Sequence, residues 1–320
     1  MPSPVSPFRT ALPAAAPSPR HERPPLDAAL APTLSEIAEL KRRPARLQGH
    51  RSMADEGFRR AFAALMAHED ADQVAAREVA AAAAQIALAP VNGPQLIAAG
   101  LDPDDRRVLY ARAAARSLGP LDDDFAASLA DALDGLAPET PAFHAVDLLC
   151  SQPRGGALSE KAARIVRPPE EMQSEHAWCV AVIGALLQIR RGLSPGNAFL
   201  TGLAHHLPDA YALPARTEDS MPGAESQRAA TRALARALDP CPAPLATAIE
   251  AAMLRRHDLA DPGAEAFVAA DLIDRVLQQR HYANAAGFSL SDAMDAREFV
   301  TAPELRDFQL DILARFRLTF

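Results

Sequence analysis

Apolar residues recur along this chain three and four positions apart, and runs of strict apolar–polar alternation are nearly absent. That period predicts helices rather than strands. Phe58, Phe62 and Leu65 share one face of DEGFRRAFAALMAHED, and DQVAAREVAAAAAQIAL follows in the same period. After the breaker PVNGP at 90–94, the segment 102–118 opens with Asp102 as N-cap and Pro103 at the first helical position. DDDFAASLADALDGL and PAFHAVDLLC continue the pattern, with Asp122–Asp124 suited to the first turn of a helix. SQPRGG (151–156) is a turn-rich break, and LSEKAARIV after it reads as a short helix.

The second half is patterned around residues 174–211. His176, Val180, Ile183 and Leu187 recur at helical spacing, so the imidazole shares the apolar face. Ser194-Pro195 starts a second helix, in which Phe199, Leu203 and His206 lie on one stripe and His205 lies about 100° round. Pro208 ends it. Residues 211–224 read as a loop, and ESQRAATRALARAL, PAPLATAIEAAMLRR and AEAFVAADLIDRVLQQRHY as three further helices. PELRDFQLDILARFRL closes the chain as a last amphipathic helix.

Composition strengthens the helical reading. The 320 residues are Ala-rich, with 12 Phe, 3 Tyr and 1 Trp, so the core must be built from Ala, Leu, Val and Ile. Ala is the best helix former, and the expected class is all-α. Residues 1–33 hold nine prolines, which forbid helix interiors, so 1–51 is expected as a disordered Pro/Ala-rich basic tail. Within it, 34–47 could form a short helix stopped by Pro44, its Lys41, Arg42, Arg43 and Arg46 making a solvated basic patch. A helical N-terminal region over 52–151 and a helical domain over 152–320 complete the expected organisation.

Charge and cysteine usage exclude several classes. Net charge is −8, and residues 1–51 carry eight Lys/Arg against four Asp/Glu, so the remainder is strongly acidic. An acidic body is a poor nucleic-acid binder, which leaves a basic N-terminal arm as the weaker route to such a partner. Cys150, Cys179 and Cys241 are odd in number and widely spaced, without the pairing of a disulfide framework or a zinc–thiolate site. There is no membrane-length apolar run and no secretory pattern, so no membrane partner is expected and the expected location is cytoplasmic. P-loop, G-x-G-x-x-G and CxxC patterns are all missing.

Chemistry therefore rests on His176, the His205-His206 doublet and Asp271, the last preceded by the apolar run FVAA. Ionisable groups on core-facing positions are costly unless paired or bound to metal. His68 and His144 stand alone and read as structural histidines.

The order of these residues, with the wording FLTGLAHHLPDA, LATAIEAAMLRRHDL and FVAADLID, resembles the HD superfamily of all-helical, metal-dependent phosphohydrolases, and the HDOD signalling branch most of all. The resemblance covers roughly 160–285. It implies an HD-like bundle in the C-terminal half, with His176, His205, His206 and Asp271 as ligands of one divalent transition metal (Mn, Fe or Zn). It also places His257 where related domains carry a further histidine, beside Arg255 and Arg256, whose guanidinium forks match phosphate oxygens. The doublet reads His-His where the family has His-Asp. Imidazole cannot bridge two metals, so a binuclear site is not expected. Asp209, near the doublet, is the candidate replacement carboxylate, with Asp271 the other catalytic candidate.

Two functions are left open by these residues. One is a degenerate signalling or regulatory binding module that recruits a protein partner. The other is a metal-dependent phosphohydrolase acting on a phosphoester or nucleotide.

Overall fold

The computed structural model describes residues 24–45, 51–88, 91, 93–134, 143–154, 157–159, 162–165, 170–211, 223–286 and 303–318. The architecture is all-α. Helices α1 (Ala31–Glu39), α2 (Met53–Met66), α3 (Ala71–Leu88), α4 (Gly93–Ala98), α5 (Pro103–Leu118), α6 (Asp123–Asp134) and α7 (His144–Ser151) form the first half. Helices α8 (Gln173–Arg190), α9 (Gly196–Ala204), α10 (Gly223–Leu238), α11 (Ala243–Arg255), α12 (Pro262–Ala286) and α13 (Arg306–Arg315) form the second. The expected cap of α5 is in place, with Asp102 accepting from Asp105 N at 2.8 Å, and Ser52 caps α2 through Asp55 N. Among the described residues no helix is long and apolar enough to cross a membrane.

One helix organises the rest. Side chains from Ser174 to Gln188 of α8 are buried on every face, the mark of a helix surrounded by others. It packs against α2, α3, α7, α9 and α12. Small residues bring α9 close: a Cβ on Gly202 would lie 2.5 Å from the Ala181 backbone. One turn earlier on α8 a Cβ on Gly57 would strike the Trp178 ring.

Three expectations need correction. The N-terminal 51 residues are not all tail, since Ala31–Glu39 is helical and continues as a 3-10 turn, Leu40–Arg42. Leu34, Ile37 and Leu40 are buried in the main core, an apolar stripe at helical spacing that offsets ordering entropy despite the flanking prolines. Residues 1–23 lie outside the described residues. Second, the break at 151–156 does not divide the core. Among the described residues one cluster of buried apolar side chains runs from Leu26 to Leu318 through both halves, and a smaller one, around Tyr110 and Leu129, belongs to α3–α6. Third, LSEKAARIV is not a helix: Ala157–Ser159 pairs antiparallel with Ala162–Ile165. A nine-residue segment is too short to hold a helix without tertiary support. Most of the expected loop 211–224 lies outside the described residues.

Candidate metal centre

Helices α8, α9 and α12 bring the candidate ligands together. His176 stands in the first turn of α8, fully buried, and His205 and His206 follow the last turn of α9, partly buried. The ring centroid of His176 lies 5.2 Å from those of both His205 and His206, which are 4.1 Å apart from each other. One ring nitrogen from each of the three falls within 4.8 Å of the others. Asp271, on α12, joins them with Oδ1 at 3.3 Å from His176 Nε2.

Each ring is oriented by an oxygen acceptor on its other nitrogen. His176 Nδ1–H donates to Asp274 Oδ2 at 2.6 Å, and His205 Nδ1–H to the Gly202 carbonyl at 2.7 Å. His206 Nδ1–H donates to Asp209 Oδ2 at 2.5 Å. Neither a carboxylate nor a carbonyl can donate, so in the neutral rings of His176 and His205 the Nε2 atoms carry lone pairs. Those two Nε2 atoms face one another at 3.2 Å. Two lone pairs so close need a cation between or beside them, either a proton or a metal ion.

The electrostatics favour unprotonated rings at the doublet. Burial, with the neighbouring imidazoles, holds His205 well below its usual range. Burial also lowers His206, against the opposing pull of Asp209. Burial alone would raise Asp271, but Arg275, at 3.2 Å, and His176 outweigh it and keep the carboxylate ionised. The doublet thus offers neutral nitrogens beside one ionised carboxylate, the form in which these side chains bind metals.

Other candidates separate. A cavity of about 130 Å³ adjoins the cluster, lined by His205, Asp271, Arg256, His257, Phe267 and Gln309 among others. Arg256 and His257 thus line the space beside the rings. Arg255 does not: it is exposed, 3.7 Å from Asp261, and away from the cavity lining. Asp209 serves as the acceptor that orients His206 rather than as a free carboxylate between the rings.

The tertiary structure adds residues that the pattern had not singled out. Asp274 is buried and accepts from both His176 and Lys41, whose Nζ is 2.6 Å away. Lys41 also reaches Glu171 at 2.5 Å, with Arg154 3.7 Å from the same carboxylate. Asp274 could have been found, because it lies three residues after Asp271 and so on the same helical face. Lys41 carried no such signal; it read as one member of a basic patch.

No protein-family model, no curated protein and no solved structure matches this chain.

Proposed function

We propose that His176, His205, His206 and Asp271 form a mononuclear divalent-metal centre in an HD-like fold, and that the chain is a metal-dependent phosphohydrolase acting on a small phosphoester. The observation that carries this reading is the pair of Nε2 atoms facing each other at 3.2 Å. Each belongs to a ring locked through its Nδ1–H, by Asp274 or by the Gly202 carbonyl. Metal-ligating histidines are held in the same way, because the second hydrogen bond fixes the tautomer and raises ligand basicity. Three imidazoles with one carboxylate suit Zn, Mn or Fe. A divalent ion there would polarise a phosphoryl oxygen and lower the pKa of a bound water.

The chain's own residues divide the remaining work. Arg256 and His257 are placed to hold the phosphoryl oxygens from the cavity side. Phe267, edge-on to His205 at 5.2 Å, fixes that ring and gives the cavity an apolar wall that excludes water. The cavity, about 130 Å³, is well below the roughly 300 Å³ at which ordinary ligand pockets begin. It accommodates a phosphoryl group and its ester oxygen.

The binding-module reading draws on one observation of its own. His206 stands where the HD pattern has a carboxylate, and Asp209 is engaged in holding it. A centre so built would be a fixed strut for a surface that recruits a protein partner. Elemental mass spectrometry of wild type and His205→Ala, purified without chelator, separates the readings. About one equivalent of transition metal, lost in the variant, is the expected result, with phosphoester turnover abolished in Asp271→Ala while its helical circular dichroism persists. No uptake after incubation with Mn, Fe or Zn would overturn the metal centre. Metal uptake without turnover would leave the binding module.

A further inference from the structure

On the other side of the His176 ring lies a second group of potential ligands. A carboxylate oxygen of Glu171, one of Asp274, and a nitrogen of His176 lie within 4.8 Å of one another, and all three residues are buried. Two carboxylates in such a dry place cannot both remain ionised without a cation. The cation present is part of the chain. Lys41 Nζ sits 2.5 Å from Glu171 Oε1 and 2.6 Å from Asp274 Oδ2, its side chain 2% exposed. Burial would lower the ammonium, yet Asp274 and Glu171 together hold it above its usual range, and Glu171 and Asp274 are both held down in turn. Asp274 Oδ1 is buried without a hydrogen-bond partner, a lone pair beside the group that no donor serves.

We propose that the Glu171–Asp274 group is a second cation site, filled from within by the Lys41 ammonium, and that removing this ammonium makes it a site for a hard divalent cation. The geometry is that of a cation pocket: an ammonium in contact with two carboxylates, with one carboxylate oxygen still unused. Taking away the lysine side chain opens space for water as well as charge. Mn²⁺ and Mg²⁺ bind through one or two carboxylates and keep several waters, so a pocket with two carboxylates and room for solvent fits them. His176 would keep its Nδ1–H bond to Asp274, so that its Nε2 stays directed at His205. In the native chain this arrangement limits the region to one exogenous ion, because the second position is already occupied by a tethered charge.

The second site stands beside the proposed metal centre, and one experiment tells the two apart. Mn²⁺ equivalents are counted by equilibrium dialysis and by the electron paramagnetic resonance of free Mn²⁺, for wild type, Lys41→Ala, His205→Ala and the double variant. Lys41→Ala is expected to add one equivalent in either background, and Glu171→Gln to remove it again. Lys41→Arg, which keeps the charge, is expected to add none. No added equivalent in Lys41→Ala, while wild type still binds one, would overturn this inference and leave the metal centre intact. An equivalent gained by Lys41→Ala over a wild type that binds none would do the reverse. Should Lys41→Ala be unfolded without metal, circular dichroism during Mn²⁺ addition answers the same question: recovery of helix supports the site, and no recovery overturns it.

Discussion

Helix α8 carries two buried polar clusters, one through Trp178 and one, two residues earlier, through His176. In the first, Glu78 is fully buried and every donor aimed at it is accounted for. Arg60 bonds both carboxylate oxygens, at 2.8 and 2.7 Å, and the Trp178 indole N–H adds a third bond at 2.9 Å. In the second, the outer edges of the rings are tied down by Asp274, Gly202 and Asp209, and the inner nitrogens of His176 and His205 face each other at 3.2 Å with a proton or a metal ion to be shared between them. Buried polar groups in native proteins are almost always satisfied. A closed network such as that of Glu78 is therefore structural. An inward-facing pair of ring nitrogens, left to share a proton or a metal ion, is an open one.

The largest test of this contrast is Glu78→Ala. It leaves Arg60 buried without its counter-charge, which typically destabilises by about 3–5 kcal/mol. Chemical denaturation should show that loss equally with and without Mn²⁺, since the closed cluster has no role in metal binding. A deficit that disappears when Mn²⁺ is added would break the comparison.

Close to both clusters on α8, Glu175 makes the contrast sensitive to pH. Burial pushes its carboxyl up to about 7 from an ordinary 4.5, despite the bond it accepts from Met172 N at 2.8 Å. Within that window the folded state keeps a proton that the unfolded chain has released. Stability therefore falls as pH rises from the unfolded to the folded value, and the full penalty, roughly 3 kcal/mol, is present above it. Glu175→Gln keeps an acceptor without the charge. Its melting temperature should exceed that of wild type above pH 7, with the gain fading towards the unfolded carboxyl value. A gain that does not change with pH would show that packing, not ionisation, limits this position.

The smallest effect belongs to the other core. Asp102→Ala removes the N-cap of α5 and should lower stability by about 1 kcal/mol. Metal uptake should be untouched, because α5 packs on α3 and α6 around Tyr110. Altered uptake in this variant would mean that the smaller core and the histidine cluster are coupled.

The helical class, most helix positions, and His176 as an inward-facing candidate were already legible in the sequence. Those features are local: helical spacing, caps and breakers act over a few residues, and an ionisable group on an apolar stripe is visible as an anomaly wherever it falls. The short N-terminal helix was legible too, in Leu34, Ile37 and Leu40, but its cluster of Lys41, Arg42, Arg43 and Arg46 argued for a solvated element rather than one packed into the core. Which nitrogen of each histidine donates, and hence which faces inward, emerged only with the helices packed together. So did the departure of Arg255 from the cavity beside the rings while its neighbours Arg256 and His257 line it. Lys41 is the clearest case, meeting Glu171 and Asp274 from 130 and 233 residues away. Helical periodicity reports which face of a segment turns inward. It says nothing about what another segment places there, because that depends on how the helices pack, and packing is a property of the whole chain.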